Sequence, residues 1–365
     1  MRIAQVAPLY ESVPPQLYGG TERVVSWLTE ELICLGHDVT LFASGDSLTT
    51  ARLVSSCKKA LRLDSDCIDH LAHHVVMLDQ VFNEKENFDL IHFHVDYFHF
   101  PFSRQQQIAH VTTLHGRLDL PDLVPLYRHF THIPVISISD AQRSPLPWAN
   151  WQGTVHHGLP RKSFSLGSGK GGYLAFLGRT SPEKGLDQAI EIAKRAEMPL
   201  KIAAKIDRLD VEYFETVIKP LLDHRLIEFI GEIGCREKNA FLGNAKGILF
   251  PINWHEPFGL VMIEAMACGT PVIAYPLGSV PEVVKEGVTG FMVPDLDSAV
   301  SAVKRLGEID REKCRRHFEL HFNSERMAQD YLQIYRRLLR GGSSSITVSD
   351  EVLNCMKMTS SSSTT

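Results

Sequence analysis

The chain of 365 residues has no apolar run that approaches the roughly 18–20 residues of a membrane-spanning helix. It also has no excess of basic residues, since 38 lysines and arginines stand against 43 aspartates and glutamates and give a formal net charge of -5. This balance argues against a dedicated nucleic-acid binder, which is usually basic, but leaves local basic clusters free to bind small anions. The opening segment Met1–Pro8 is too short and too quickly polar for a secretion signal, so a cytoplasmic protein is expected.

Paired cysteine motifs and nucleotide loops in their usual context are also lacking. The cysteine count of 7 is odd and no CxxC pair exists, which disfavours a zinc site and indicates reduced thiols. Segment 167–172 matches GxGxxG by letter, but it precedes a predicted strand, whereas a dinucleotide-binding loop follows a strand and opens a helix. Its lysine is not in the frame of a P-loop. We interpret the segment as a linker, and a nicotinamide-dependent dehydrogenase is disfavoured.

Short apolar runs alternate with helical patterns along most of the chain, which predicts parallel sheets covered by helices. The pattern falls into two series that divide near residue 160, each with enough units for one doubly wound domain. An apolar stripe from Met327 to Leu339 predicts a terminal helix that packs on another surface. The predicted strands are 3–9, 39–44, 90–94, 111–115 and 135–139 in the first series, and 173–177, 200–205, 227–230, 247–251, 272–275 and 291–293 in the second.

The strongest candidate for chemistry is segment 255–271, HEPFGLVMIEAMACGTP, which follows a predicted strand. Its predicted helix, 257–268, is apolar on almost every face and is therefore expected to be buried, yet it contains Glu264. Because a buried carboxylate without partners is very costly, either a lysine or arginine pairs with Glu264, or ligand hydroxyls bond to it. Glu256 lies at the helix mouth, where the N–H groups of Phe258, Gly259 and Leu260 can bind an anion. The alternative is a capping glutamate and a structural ion pair.

A second candidate is segment 178–185, GRTSPEKG, which also follows a predicted strand. It is predicted to open a helix over 182–196, with Thr180 or Ser181 as the cap. Arg179 and Lys184 then stand at a helix N-terminus, where cations disfavour the helix itself but reinforce its attraction for phosphate. A solvated surface pair is the alternative.

Two weaker candidates lie in the first series. Gly19 and Gly20 precede a helix predicted over 21–35, with Thr21 as its cap, and allow a ligand close to the backbone. His115 is placed at the carboxyl end of a predicted parallel strand, where ligands of open α/β sheets bind. A turn in the first case, and a structural histidine in the second, are the alternatives.

One histidine-rich group and two DxD tripeptides contain residue types that bind metal ions. His92 and His94 share one face of a predicted strand, and Asp96 and His99 follow closely, but no carboxylate cluster accompanies them. The two DxD tripeptides, 64–66 and 295–297, are interpreted as a loop and a helix cap. No metal is therefore expected.

Segment 255–271 resembles the EX7E segment of retaining glycosyltransferases of family 4, with Glu256 and Glu264 as its two glutamates. The resemblance extends to segments 178–185, 278–282 and 287–291 and to the Gly19–Gly20 loop, so it covers the chain to about residue 340. It implies the α/β fold called GT-B, in which two Rossmann-like doubly wound domains face each other across a cleft and the last helix crosses back to the N-terminal domain. The implied parts are an acceptor-binding domain over 1–159, a nucleotide-sugar-binding domain over 160–322 and the crossing helix over 323–340. The tail over 341–365 is rich in glycine, serine and threonine and is expected to be disordered.

The resemblance also implies roles for particular residues. A hexose-type sugar would move, with retained configuration, from a UDP- or GDP-sugar to an acceptor hydroxyl, without cofactor or metal. Arg179 and Lys184 would hold the diphosphate, Glu264 the ribose, Glu256 hydroxyls of the transferred sugar, and His115 would lie beside that sugar. Backbone groups near Gly20 and Gly259 would assist at the phosphates. The implied donor contacts are completed by Gly19, Phe258, Leu260 and Lys205.

The acceptor is left open between a glycan, a lipid-linked molecule and a small molecule, with loops 10–18 and 94–103 expected to select it. A lipid-linked acceptor would bring the protein to the inner face of the membrane. Two alternatives to a transferase remain. One is a sugar-nucleotide epimerase or hydrolase of the same architecture, and the other is a non-catalytic relative that binds sugar nucleotides.

Overall fold

The computed structural model describes residues 1–16 and 19–344, without the side chains of 235–236 and 341–344. Residues 17–18, which belong to the predicted glycine loop and acceptor loop, and residues 345–365 of the predicted tail lie outside the described residues. The first of two parallel sheets has the strand order β3-β2-β1-β4-β5-β6-β7. Its strands are β1 (Arg2–Val6), β2 (Asp38–Phe42), β3 (Arg52–Val54), β4 (Leu90–Phe93), β5 (His110–Thr113), β6 (Val135–Ser137) and β7 (Trp151–Thr154).

The second sheet is also parallel and has the strand order β10-β9-β8-β11-β12-β13. The prediction of two parallel-sheet α/β units is therefore confirmed. Sequence analysis misses the edge strands β3 and β7, because neither has the continuous apolar run of a central strand. The strands of the second sheet are β8 (Leu174–Arg179), β9 (Leu200–Lys205), β10 (Ile227–Gly231), β11 (Gly247–Phe250), β12 (Val272–Ala274) and β13 (Gly290–Met292).

Helices connect the strands and cover the sheets. In chain order they are α1 (Gly20–Cys34), α2 (His70–Asn83), α3 (Phe100–Ser103), α4 (Leu123–His129), α5 (Leu186–Arg195), α6 (Val211–Tyr213), α7 (Cys235–Asn244), α8 (Leu260–Ala267), α9 (Val280–Val283), α10 (Leu296–Arg305), α11 (Arg311–His321) and α12 (Ser324–Ser344). Asp295 caps α10 by accepting a bond from the Ser298 N–H at 2.8 Å, which confirms the interpretation of the second DxD tripeptide.

The starts of three helices differ from the prediction. Helix α1 begins one residue early, so Thr21 is inside it and does not cap it. Residues 182–184 form a 3-10 turn without a side-chain cap, and α5 begins only after Gly185, whose φ is 68°. Helix α8 begins three residues later than predicted, after Gly259 with a φ of 77°. Because left-handed backbone favours glycine and interrupts a helix, both segments enter their helices through a sharp turn.

Each sheet has one point where the strand order reverses, between β1 and β4 in the first sheet and between β8 and β11 in the second. In open α/β sheets, ligands bind outside the carboxyl ends of the strands at such a switch point. Gly19 ends the loop after β1 and Gly20 begins α1, His94 directly follows β4, Arg179 is the last residue of β8, and segment 251–259 follows β11. The topology therefore places the predicted site residues at two facing sheet edges.

The terminal helix α12 packs on the first sheet, as predicted for a helix that crosses back from the second domain. Met327, Tyr331 and Tyr335 are buried there against Ile3 and Leu28. The helix runs to Ser344, four residues beyond the predicted end at 340. One apolar face of α12 therefore completes the core of the first domain.

A glutamate of the second domain also holds the first domain directly. Glu282 accepts hydrogen bonds from the N–H groups of Asp140 and Ala141, each at 2.8 Å, and contacts His156 Nε2 at 2.9 Å. Burial alone would raise the pKa of Glu282, but these bonds keep it below its ordinary value. This contact sets the approach of the two domains on one side of the cleft.

Candidate functional site

A cleft of about 540 Å³ lies between the two domains, and residues of both sheets line it. Gly20 at the start of α1 faces the start of α8, because a Cβ atom at Gly20 would lie 3.6 Å from Leu260 Cδ1. The structure brings together in this cleft every residue that the sequence predicts for the site. These are Gly19, Gly20, His115, Arg179, Lys184, Lys205, Glu256, Phe258, Gly259, Leu260 and Glu264.

Lys184 and Glu256 form a close ion pair in the cleft. Lys184 Nζ lies 2.5 Å from Glu256 Oε2, and both side chains are largely shielded from solvent. The same carboxylate oxygen accepts a hydrogen bond from Trp254 Nε1 at 3.1 Å, and Lys184 Nζ lies 4.7 Å from the centroid of the Trp254 ring. Glu256 is therefore a partner of the lysine rather than the cap of a helix.

Close backbone packing holds this pair in place. A Cβ atom at Gly185 would collide with the carbonyl oxygen of Pro251, so only glycine allows the turn at 182–185 to approach the loop after β11. The N–H of Asn253 bonds to the carbonyl of Glu183 at 3.1 Å, and the N–H of Ser279 bonds to that of Glu256 at 3.0 Å. The loop is thus held between two neighbouring segments, which fixes where Glu256 points.

Glu264, the single charge in α8, is buried and paired with Lys238 of α7. Lys238 Nζ contacts both carboxylate oxygens, at 2.9 and 3.0 Å, and the Glu264 side chain is 4% exposed. Of the two solutions open from the sequence, a basic partner or ligand hydroxyls, the structure contains the basic partner. Lys238 itself lines the cleft, so the pair is at the edge of the space that a ligand would fill.

Arg179 and Lys205 stand at the ends of the adjacent strands β8 and β9. Arg179 Nη2 pairs with Glu183 Oε1 at 2.7 Å, and Lys205 Nζ lies 3.8 Å from Asp207 Oδ2. Together with Lys184 and Lys238, these side chains place four cations on the wall formed by the second domain. Such a wall attracts an anion that bridges several of them.

His115 lies opposite this wall, at the end of β5. Its Nε2 is 2.8 Å from His94 Nδ1, and its ring stacks on that of His157 with centroids 5.4 Å apart. Burial lowers the pKa of His115 to about 3, so the imidazole is neutral at neutral pH. His94 and His157 have pKa values well below the ordinary value for the same reason.

The histidines that the sequence places near one another as metal-binding residue types form two separate hydrogen-bonded groups. His92 in β4 and His94 directly after it have ring centroids 4.0 Å apart, with the two rings tilted by 46°. His99 instead bonds to Thr112 and Ser103, each at 2.6 Å, and stacks on Phe93. The three rings therefore do not converge on one point.

Sequence analysis misses several residues of the cleft. Lys238 and Trp254 give no local signal, since their roles depend on partners brought near by the fold. Glu22 was also not predicted, although its position directly after the glycine loop, in the first turn of α1, could have indicated a place in the cleft. It is 5% exposed, and burial raises the pKa of its carboxyl to about 7.

Comparisons with known proteins bear on both domains. Residues 18–149 match the family model described as Glycosyltransferase Family 4, and residues 160–318 match the model described as Glycosyl transferases group 1. The chain is a glycosyltransferase of the family 4 type with the GT-B fold. Within the described residues, no helix is both long and apolar enough to cross a membrane.

Two curated relatives illustrate how far the sequence similarity extends. The glycosyltransferase is 29% identical over 169 residues to an uncharacterized 41.2 kDa protein in the cps region of Klebsiella pneumoniae, a match that covers 45% of this chain and 46% of that protein. It is 26% identical over 278 residues to an uncharacterized glycosyltransferase of Methanocaldococcus jannaschii, covering 70% of this chain and 77% of that one. The first alignment therefore spans less than half of the relative's length.

Solved structures share the fold at lower identity. Sucrose-phosphate synthase from Thermosynechococcus elongatus is 19% identical with a TM-score of 0.78, covering 93% of this chain and 99% of that chain. The Anabaena protein HepE, crystallised in complex with UDP and glucose, is 16% identical with a TM-score of 0.70, covering 91% and 98%. Both likenesses establish the two-domain architecture.

Removal of Lys238 is expected to leave a buried charge without compensation. Lys238→Met should lower the free energy of unfolding by about 3–5 kcal/mol, because an unpaired buried carboxylate is strongly destabilising. The double variant Lys238→Met/Glu264→Gln should recover most of that loss. Urea unfolding of both variants measures the difference, and equal losses would contradict the pairing.

The raised pKa of Glu22 predicts that the stability of the protein depends on pH. This pKa is higher in the folded protein, about 7, than the ordinary value of 4.5, so the contribution of Glu22 to stability is lost as pH rises from about 4.5 to 7. Glu22→Gln should therefore be more stable than the parent protein above pH 7, by about 3 kcal/mol at most, and the difference should vanish near pH 4. Nearby Glu11 and Arg62 are kept unchanged.

Thermal or urea unfolding over pH 4–9 measures this difference. Glu308→Gln is the matched control, because Glu308 is an exposed partner of Arg305 with a pKa below its ordinary value. It should show no gain in stability above pH 7. A Glu22→Gln variant that behaves like this control would refute the assignment of a raised pKa to Glu22.

Proposed function

We propose that the glycosyltransferase moves a hexose-type sugar from a UDP- or GDP-sugar to an acceptor hydroxyl, with retained configuration and without a metal ion. The observation that carries the proposal is the wall of paired cations and carboxylates around Lys184, Glu256 and Glu264, which faces His115 across a cleft between two domains. A nucleotide sugar has matching chemistry, since its diphosphate is anionic and its two sugars offer hydroxyl donors.

The diphosphate binds to Arg179 and Lys184. Both are held at the cleft by carboxylate partners, Glu183 at 2.7 Å and Glu256 at 2.5 Å, and they share their remaining N–H donors with the phosphate oxygens. Cations that are fixed before the reaction stabilise negative charge as it develops on the departing diphosphate. The proposed independence from metal rests on these side chains taking the role that a divalent ion has in other transferases.

The two glutamates bind hydroxyl groups. Glu264 is held at the edge of the cleft by Lys238, and there it accepts hydrogen bonds from the ribose of the nucleotide. Glu256 lies near the turn that contains Lys184 and accepts hydrogen bonds from the transferred sugar. Charged acceptors of this kind form stronger hydrogen bonds than neutral ones.

The chemical step follows front-face substitution. The bond between the anomeric carbon and the phosphate oxygen breaks, the acceptor oxygen bonds to the same face of that carbon, and the acceptor proton passes to the departing phosphate oxygen. No side chain forms a covalent intermediate. Because burial lowers its pKa to about 3, His115 is neutral and contributes hydrogen bonding rather than a proton.

Two further observations support parts of this proposal. The Anabaena protein with the same fold was crystallised with UDP and with UDP-glucose, which favours a uridine nucleotide among the candidates. The first domain contributes Tyr10, Arg62 and Asp96 to the cleft, and we assign that side to the acceptor. A hydrolase or epimerase of the same architecture is the second candidate, and it would need no acceptor.

Nucleotide release from a panel of UDP- and GDP-sugars distinguishes these functions. We expect one donor to release nucleotide only when an acceptor hydroxyl is present, at a rate unchanged by a metal chelator, and the product to keep the anomeric configuration by proton NMR. Full-rate release without acceptor would indicate a hydrolase or epimerase. An inverted product would exclude the retaining mechanism.

Lys184→Ala tests the phosphate site. We expect kcat to fall by roughly 10²–10³-fold, because a fixed charge that stabilises the leaving group is lost. The protein should stay folded and lose less stability than Lys238→Met, because Glu256 is more exposed than Glu264 and keeps its hydrogen bond from Trp254. Lys219→Ala is the matched control, since Lys219 forms an exposed ion pair with Glu215 within one helical turn. Unchanged turnover in Lys184→Ala would remove this lysine from the phosphate site.

A further inference from the structure

A continuous series of buried side chains joins the reaction cleft to the terminal helix α12. We call this series the buried relay. It starts at His94, the hydrogen-bond partner of His115, and every member is at most 2% exposed. Its members, in order from the cleft, are His94, Gln5, Tyr335, His92, Thr113 and Tyr331.

Short contacts connect the members without a break. His94 Nε2 is 2.8 Å from Gln5 Oε1, and Gln5 Nε2 is 3.3 Å from the Tyr335 hydroxyl. That hydroxyl is 2.7 Å from His92 Nδ1, whose Nε2 is 2.7 Å from Thr113 Oγ1. The Thr113 hydroxyl in turn contacts the Tyr331 hydroxyl at 3.1 Å.

The protons of the three links from His115 through His94 and Gln5 to Tyr335 must all point the same way. A neutral imidazole has one N–H donor and one lone pair, and a hydroxyl has one proton to donate. Burial keeps both His92 and His94 neutral by lowering their pKa values. Each imidazole and the amide of Gln5 therefore donate on one side and accept on the other, whereas a hydroxyl can also accept on both sides. The direction of one link thus determines the direction of the next from Gln5 through His94 to His115.

The orientation of the Gln5 amide sets this direction, because its oxygen accepts and its nitrogen donates; the structure places the oxygen toward His94 and the nitrogen toward Tyr335. The Gln5 oxygen can only accept, so His94 is protonated at Nε2 and its Nδ1 is a lone pair. His115 must then donate from Nε2 to His94 Nδ1, and its own Nδ1 is unprotonated. That Nδ1 is buried and has no hydrogen-bond partner among the described residues, and His115 lines the cleft.

We propose that Gln5 is a positioning residue that holds His115 in the tautomer whose Nδ1 accepts a hydrogen bond from a hydroxyl of the transferred sugar. The identity of that ligand rests on the proposed function, whereas the tautomer does not. An acceptor atom at this point favours a sugar hydroxyl over a carboxylate, since two acceptors facing each other repel. Helix α12 supports the arrangement by supplying Tyr335 and Tyr331 from the end of the described chain.

The tautomer can be observed directly by two-bond proton–nitrogen correlation NMR of the protein labelled with ¹⁵N-histidine. The signals of His115 and His94 are assigned by their loss in His115→Asn and His94→Asn. We expect both histidines to carry their proton on Nε2. A proton on Nδ1 of His115 in the parent protein would mean that the relay runs in the opposite direction and would overturn the proposal.

Two variants separate the role of Gln5 from that of the rest of the relay. Gln5→Met removes both hydrogen bonds at similar volume, and His115 should then lose its single tautomer. Tyr335→Phe cuts the relay beyond Gln5 but keeps the bond between Gln5 and His94, so His115 should retain the Nε2–H form. A His115 spectrum that stays unchanged in Gln5→Met would contradict the assignment.

Steady-state kinetics test whether the tautomer of His115 affects how well the protein uses the nucleotide sugar. Gln5→Met should lower kcat/KM for the nucleotide sugar by about tenfold, the size expected for one neutral hydrogen bond. Thr112→Val is the matched control, because Thr112 bonds to buried His99 on the other face of β5 and lies outside the relay. It should leave both the His115 spectrum and kcat/KM unchanged, and an equal loss in this variant would show that Gln5→Met acts only through general disruption.

The outcomes also separate the two proposals. An Nε2–H tautomer that depends on Gln5, in a protein without transferase activity toward any donor, would refute the proposed function and keep the positioning role of Gln5. Transferase activity in a protein whose His115 tautomer does not change in Gln5→Met would support the proposed function and refute the positioning role of Gln5. If Gln5→Met does not fold, the spectra of the parent protein and of Tyr335→Phe still decide the tautomer.

Discussion

Parallel strands bring all their carboxyl ends to one edge of a sheet, and this constraint decides where the protein can hold a ligand. Each sheet leaves a crevice at the point where the strand order reverses, between β1 and β4 and between β8 and β11. Helix α12 and the contacts of Glu282 tie the two domains together so that these crevices face each other. The functional residues can therefore come from distant parts of the chain.

The second constraint is the cost of charge in a shielded cleft. Lys184 and Glu256 compensate each other, and so do Lys238 and Glu264, with side chains at most 18% exposed. Each ion pair orders both of its side chains, which holds charged groups at the cleft for the proposed nucleotide-sugar ligand. On the opposite wall, burial makes the histidines neutral, so hydrogen-bond direction rather than charge distinguishes their two nitrogens.

Much of this arrangement follows from local sequence. Apolar strand runs predicted the two sheets, and the all-apolar α8 with its single Glu264 predicted a buried carboxylate in need of a partner. The starts of α5 and α8 could not be placed, because Gly185 and Gly259 adopt left-handed backbone that depends on neighbouring loops. The edge strands β3 and β7 were not predicted for a related reason. They are strands because they pair with a neighbouring strand, and their sequences have no apolar pattern that indicates this.

The sequence by itself determined the two-sheet α/β architecture, the loops that carry the site and the need of Glu264 for compensation, because these depend on patterns within about 20 residues. Three contacts depend on the tertiary structure: Lys238 pairs with Glu264, Lys184 pairs with Glu256, and Gln5 contacts His94. The physical reason is distance along the chain. Gln5 and Tyr335 are 330 residues apart, and no periodicity or spacing encodes a hydrogen bond that forms only after both domains and the crossing helix have packed.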